Sequence, residues 1–156
     1  MGAGYGITFG ATGGRPPYTW ALSGNVPGLT FDPSTGELGG TPTTAGTFPI
    51  SVEVRDQQRL SATAGFSITI FDRLEITNAP GAAALVVGTP YSFGFTTRGG
   101  KPPVTLSVID GALPPGLAMS GSGEISGTPS TAGTYAFTVQ AADSLGVPLG
   151  AIAKSI

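Results

Sequence analysis

The chain has 156 residues, of which 40% are apolar and only 10% charged, and its formal net charge is −2. That balance argues against a basic nucleic-acid surface, and no apolar run reaches the ~18 residues needed to span a bilayer. There is no Cys and no His, which excludes disulfides, thiol chemistry, Cys or His metal sites and every His-based triad.

Met1 is followed by Gly2-Ala3-Gly4-Tyr5, with no basic or apolar leader, so no signal peptide is expected in this chain. A first strand is expected over Gly6 to Gly10 or nearby. Gly13-Gly14-Arg15-Pro16-Pro17 cannot be central strand, because Pro donates no ladder hydrogen bond. It reads as a loop into a strand over Tyr18-Thr19-Trp20-Ala21-Leu22. Asp32-Pro33-Ser34-Thr35-Gly36 places Pro and Gly where a tight turn needs them, which predicts a hairpin between Leu29–Phe31 and Glu37–Leu38. In Phe48–Arg55 every second residue is apolar, the period of a strand with one buried face. Gly65–Ile70 alternates likewise. Phe71-Asp72-Arg73 is the expected join, with so little linker that end-to-end stacking is expected. Leu74-Glu75-Ile76-Thr77 then opens a second domain as its first strand, and Asn78-Ala79-Pro80-Gly81 kinks the chain before Ala82–Val87.

From there the sequence repeats itself. Gly13-Gly14-Arg15-Pro16-Pro17 returns as Gly99-Gly100-Lys101-Pro102-Pro103, and Pro27-Gly28-Leu29 as Pro115-Gly116-Leu117. Gly40-Thr41-Pro42-Thr43-Thr44-Ala45-Gly46-Thr47 returns as Gly127-Thr128-Pro129-Ser130-Thr131-Ala132-Gly133-Thr134, and Asp56 as Asp143. Tyr5 and Phe9 return as Tyr91 and Phe95. Ser120-Gly121-Ser122-Gly123 replaces the Asp32 turn, and Tyr135, Phe137, Val139 and Ala141 form the second apolar face. The reading is two domains, residues 1–71 and 72–156, the first lacking an equivalent of Leu74–Val87. No segment sustains a 3.6-residue period, so both domains are all-β, as sandwich or barrel. Both ends are expected to be cut from a longer array.

The order Tyr…Gly-Gly-x-Pro-Pro-Tyr…Pro-Gly-Leu-Thr…Gly-Glu-Leu…Gly-Thr-Pro-Thr-Thr-Ala-Gly-Thr-Phe…Val-x-Val-x-Asp resembles the bacterial immunoglobulin-like repeat family. That family is related to cadherin-like and dystroglycan-type cadherin-like domains. The resemblance implies two tandem immunoglobulin/cadherin-like β-sandwiches, each of seven strands, with the N-terminal strand of the first missing. It also implies tandem arrays on large secreted or surface proteins, serving as spacers or adhesive modules, and hence an extracellular or cell-surface location in a bacterium.

The same resemblance raises calcium, because cadherin repeats bind Ca²⁺ at their junctions. Here the acidic segments are reduced to Asp72, Glu75 and Asp143, and Ca²⁺ takes about six to eight oxygens. No cofactor is therefore expected, with those three carboxylates as the candidate metal ligands. The plainer reading makes Asp56 and Asp143 caps for the turn that follows them. Asp32 and Glu37 suggest an acid/base pair, but Ser120 stands at the Asp32 position in the second copy. Ser and Asp share turn capping rather than proton transfer. Lys101 beside serines suggests a Ser-Lys nucleophile, but the first copy has Arg15 there, which is no base at neutral pH. Trp20 suggests sugar stacking, but its alternation with Tyr18 and Leu22 reads as core, matched by Val104, Leu106 and Val108.

The function expected is non-enzymatic: a structural or adhesive repeat. The alternatives are a carbohydrate-binding accessory module of an extracellular enzyme and a calcium-binding adhesion repeat. Partners are expected to be protein or glycan and neighbouring repeats, with no nucleic acid and no membrane insertion. The missing strand leaves an open edge in the first domain, which invites self-association or completion by an upstream segment.

Overall fold

The computed structural model describes residues 4–80, 84–146 and 148–155, and every regular element among them is a strand. The chain divides into two compact units, Met1–Asp72 and Arg73–Ile156. Unit 1 comprises β1 (Tyr5–Thr8), β2 (Thr19–Ser23), β3 (Leu29–Asp32), β4 (Glu37–Gly40), β5 (Gly46–Arg55) and β6 (Ser61–Ile70). They form two antiparallel sheets, ordered β1-β4-β3 and β2-β5-β6. Unit 2 comprises β7 (Glu75–Ile76), β8 (Tyr91–Gly94), β9 (Thr97–Arg98), β10 (Thr105–Gly111), β11 (Leu117–Met119), β12 (Glu124–Gly127), β13 (Ala136–Ala142) and β14 (Pro148–Ser155). Its sheets run β11-β12-β8 and β10-β13-β14, with β7 paired to β9. The two units therefore share the same pair of three-stranded sheets, and the β7–β9 pair is what only unit 2 has among the described residues.

The alternation read from the sequence sets the faces. Phe137, Val139 and Ala141 of β13 are buried, and so are Ile50 and Val52 of β5. The unit 2 core adds Leu74, Phe95, Leu106 and Ile125. Unit 1 is thinner: Val26, Leu38 and Ile50 form its buried centre, flanked by half-buried residues such as Phe9, Leu22, Phe31 and Ile68. Trp20 is half-buried, lying over Gly36, where a Cβ would stand 3.0 Å from the indole. Two expected boundaries differ. β6 begins at Ser61 rather than Gly65, because it pairs with β5 along its whole length, Arg55 opposite Ser61. The first strand of unit 2 narrows from Leu74–Thr77 to Glu75–Ile76, because its partner β9 offers only Thr97 and Arg98. Residues 81–83, within the expected kink and Ala82–Val87 stretch, and Ile156 lie outside the described residues.

The repeated glycine motifs clasp one another. Thr43 N–H donates to the Pro27 carbonyl at 3.0 Å, and Ser130 N–H to that of Pro115 at 2.8 Å. Gly28 (φ +87°) and Gly116 (φ +94°) turn their backbones directly onto Thr41 and Thr128, whose carbonyl oxygens occupy the place a Cβ would take. Only glycine combines that φ with that approach. The Pro-Gly-Leu and Gly-Thr-Pro motifs are thus two halves of one contact. Gly116→Ala is expected to destabilise unit 2 by about 1–3 kcal/mol or more, read as an earlier urea transition for unit 2 with that of unit 1 unmoved.

Candidate functional site

Asp56 and Asp143 directly follow β5 and β13, and each carboxylate holds two loops together. Asp143 accepts hydrogen bonds from Lys101 N–H (2.9 Å) and Leu145 N–H (3.0 Å). Asp56 accepts from Arg15 N–H at 3.1 Å, and from Gln58 and Leu60 N–H, both at 2.9 Å. The capping role read from the sequence is present in both copies. What the spacing did not reveal is the second partner. The same side chain reaches 42 residues back to the Gly-Gly-x-Pro-Pro loop in unit 2, and 41 back in unit 1. These donors, the Arg15 amide foremost, hold the Asp56 carboxyl below its ordinary value.

The three calcium candidates fall in different surroundings. Asp72 is exposed at the end of unit 1. Glu75 pairs across the β7–β9 ladder with Arg98 at 2.9 Å. Asp143 spends both oxygens on backbone N–H groups. Within unit 2, Glu75 and Asp143 are thus engaged with protein donors, and no group of three or more acidic side chains gathers among the described residues.

Asp32 and Glu37 stand directly opposite each other in the β3–β4 hairpin. Asp32 accepts from Ser34 N–H (2.8 Å) and Ser34 O–H (2.6 Å), which hold its carboxyl below the usual range. A catalytic acid needs the opposite shift. In the second copy Ser120 does the same capping, accepting from Glu124 N–H at 3.0 Å. Arg15 and Lys101 contribute their backbones to the Asp tethers. Tyr18 is half-buried and donates its hydroxyl to the Gly13 carbonyl.

Beside Tyr18 lies a cavity of about 210 Å³, lined by Ala11, Gly14, Tyr18, Val54, Leu60 and Ala62 among others. In unit 2 the corresponding glycine, Gly100, is covered by the Leu74 side chain, which lies 3.1 Å from where its Cβ would be. Leu74 itself is 2% exposed. Its place in the sequence, one residue before a two-residue strand, gave little sign of this role.

Two copies of one sandwich, tied at matching positions by the same glycines and aspartates, match a single family description along nearly the whole chain. The chain belongs to the family described as "Putative Ig domain". Its two Ig-like repeats match at residues 2–71 and 74–151. They are similar to part of the "Serine-rich adhesin for platelets" of Staphylococcus aureus strain MRSA252. The identity is 31% over 136 residues, covering 85% of this chain and 10% of that protein. The same adhesin of strain MW2 is 31% identical over the same share of this chain and 6% of its own length. The repeat pair thus spans a tenth or less of these relatives. Among solved structures, a C-terminal fragment of intimin in complex with the intimin-binding domain of the translocated intimin receptor matches at a TM-score of 0.55. That match has 17% identity and covers 97% of this chain and 56% of the other. The protocadherin gammaB4 extracellular domain matches at 0.47 and 15% identity, over 88% of this chain and 27% of that one. At such identities the likeness to intimin is one of fold.

A group whose folded pKa is lowered contributes stability above its unfolded pKa and loses it as pH falls through the folded one. Asp56, Asp32 and Glu53 are all lowered, Glu53 chiefly by its hydrogen bond from Arg55. Unit 1 is therefore expected to lose stability as pH drops below about 4, the ordinary carboxylate range. Asp56→Asn is expected to flatten that decline, measured as thermal midpoint against pH.

Proposed function

We propose that this repeat pair is a non-enzymatic spacer and interaction module of a larger bacterial surface or secreted protein, making its contacts with proteins. The similarity to a staphylococcal adhesin over 85% of the chain carries the reading. The physical character of the units supports it. A β-sandwich tied by backbone clasps and aspartate tethers holds its two ends apart at fixed spacing. Its unpaired strand edges offer protein partners a ladder to extend. Among the described residues, no helix is long and apolar enough to cross a membrane.

The carbohydrate-binding alternative needs an exposed aromatic platform. Trp20 and Tyr18 are both half-buried, one against Gly36 and the other tied to Gly13. Immobilised glycans are accordingly expected to capture no chain saturably. Capture that disappears in Trp20→Ala would replace this reading with the glycan one. The calcium alternative makes a separate demand, since a ligand of the native state raises its midpoint by mass action. Unfolding in EDTA and in millimolar Ca²⁺ is expected to give one midpoint. A rise in Ca²⁺ that is lost in Asp72→Asn would instead make the module a calcium-stiffened junction.

A further inference from the structure

Strand β7 stands apart from the rest of unit 2. It pairs with β9 as a two-stranded sheet that shares no ladder with β11-β12-β8 or β10-β13-β14. That ladder has two residue pairs, Glu75 with Arg98 and Ile76 with Thr97. A few flanking bonds add to the hold. Arg98 donates to the Glu75 carboxylate at 2.9 Å. Thr77 N–H donates to the Thr96 carbonyl at 2.8 Å, and Thr96 N–H donates to Asn78 Oδ1 at 2.7 Å. Asn78 Nδ2 donates to the Gly94 carbonyl at 2.8 Å. Leu74 is buried and Ile76 packs against the same core, while the other buried core residues, Ile125 and Phe137 among them, lie outside this segment.

This thinly paired strand is also where the chain enters the unit. Leu74 lies over Gly100, which packs in turn on Asp143, the residue directly after β13. The chain runs out along β14, whose Ser155 pairs with Ala136 at the opposite end of β13. A pull between Arg73 and Ser155 therefore crosses unit 2 along the length of β13, loading β7 at entry and β14 at exit. The two strands bear the same force, because they lie in series along one chain. The exit is held by six residue pairs between β13 and β14, and the entry by two. Segments with few ladder bonds and few buried side chains open before a domain unfolds as a whole.

We propose that β7 is a mechanical strap: under tension it comes off β9 while both three-stranded sheets stay folded, so unit 2 lengthens before it unfolds. Its release breaks no ladder bond within either sheet. It withdraws Leu74 and Ile76 and leaves Ile125, Phe137, Val139 and Ala141 packed on one another. Farther along the chain, Gly88 N–H is held by the Pro129 carbonyl at 2.9 Å, and β8 follows with four residue pairs to β12. Release therefore stops there. The freed chain is about 14 residues, at most ~50 Å when drawn out, against ~300 Å for the whole unit. When the pull ends, Leu74 returns to Gly100 and Asn78 to the Gly94 and Thr96 backbone. The inference rests on the reading of the chain as a spacer within a larger surface protein, and it gives that spacer a reserve of length.

The test pulls the intact chain by its two ends in optical tweezers. A small reversible lengthening of no more than about 50 Å is expected before the ~300 Å step of unit 2. The chain has no Cys, so a lock can be added cleanly. Glu75→Cys with Arg98→Cys, paired directly across the ladder, is expected to abolish the small step when oxidised and to restore it when reduced, with the large step kept in both. Asn78→Ala is expected to lower the force of the small step alone. Native-state hydrogen exchange of the unaltered chain supplies a measurement without force or variants. The Thr77 and Thr96 amides should show protection at least about tenfold below that of Val139, in the central strand β13. A single ~300 Å step with no forerunner, or a small step that survives oxidation, would overturn the strap, and so would equal protection at Thr96 and Val139. These readouts depend only on how unit 2 opens. They are separate from the glycan and calcium outcomes that decide the broader function.

Discussion

The apolar face of one long strand sets the demands on each unit. On β13 that face is Phe137, Val139 and Ala141; on β5 it is Ile50, Val52 and Val54. Each large side chain moved out of water is worth about 1.5–3 kcal/mol, so a unit is as stable as the cover over this face is complete. In unit 2 the second sheet supplies most of the cover and β7 closes the side. Ala141 is then wholly buried, while Val54, its counterpart, is only half-buried. The difference traces to two side chains, Leu74 and Ile76, that unit 1 lacks among its described residues.

The loops are ordered by backbone rather than by side-chain packing. The Pro-Gly-Leu and Gly-Thr-Pro motifs meet through main-chain groups, and the aspartates reach main-chain N–H groups in the Gly-Gly-x-Pro-Pro loop. This explains which residues the two copies share. Glycine and aspartate recur where a φ or an acceptor is required. Arg15 and Lys101 exchange freely because only their amides are used, and Trp20 changes to Leu106 because that position asks only for apolar volume. Groups that would have to act chemically in both copies, such as Asp32, are replaced by residues that keep only the turn.

An all-β module with spacing fixed by backbone contacts and one incompletely covered face suits mechanical and contact roles. Asp32, Asp56 and Asp143 are tied to backbone amides, and Tyr18 and Trp20 are half-buried. Strand edges and exposed apolar side chains such as Leu60, at 67% exposure, and Phe66, at 46%, are part of its surface. A strand edge presents alternating donors and acceptors along a line, a pattern that another extended strand can match.

The strand faces, the turn chemistry and the two-copy organisation are legible in the residues alone. Each follows from local rules: a period of two, a φ that suits Gly or Pro, a motif that recurs in order. The sequence also identified Asp56 and Asp143 as caps, because their nearest donors lie two and four residues onward. Tertiary contact supplies the distant donors those aspartates accept from, since Arg15 and Lys101 lie more than forty residues away in sequence. It alone set Glu75 against Arg98 and placed Leu74 over Gly100. It alone placed a cavity of definite lining beside Tyr18. These are contacts between segments distant along the chain, and no local pattern encodes their distance.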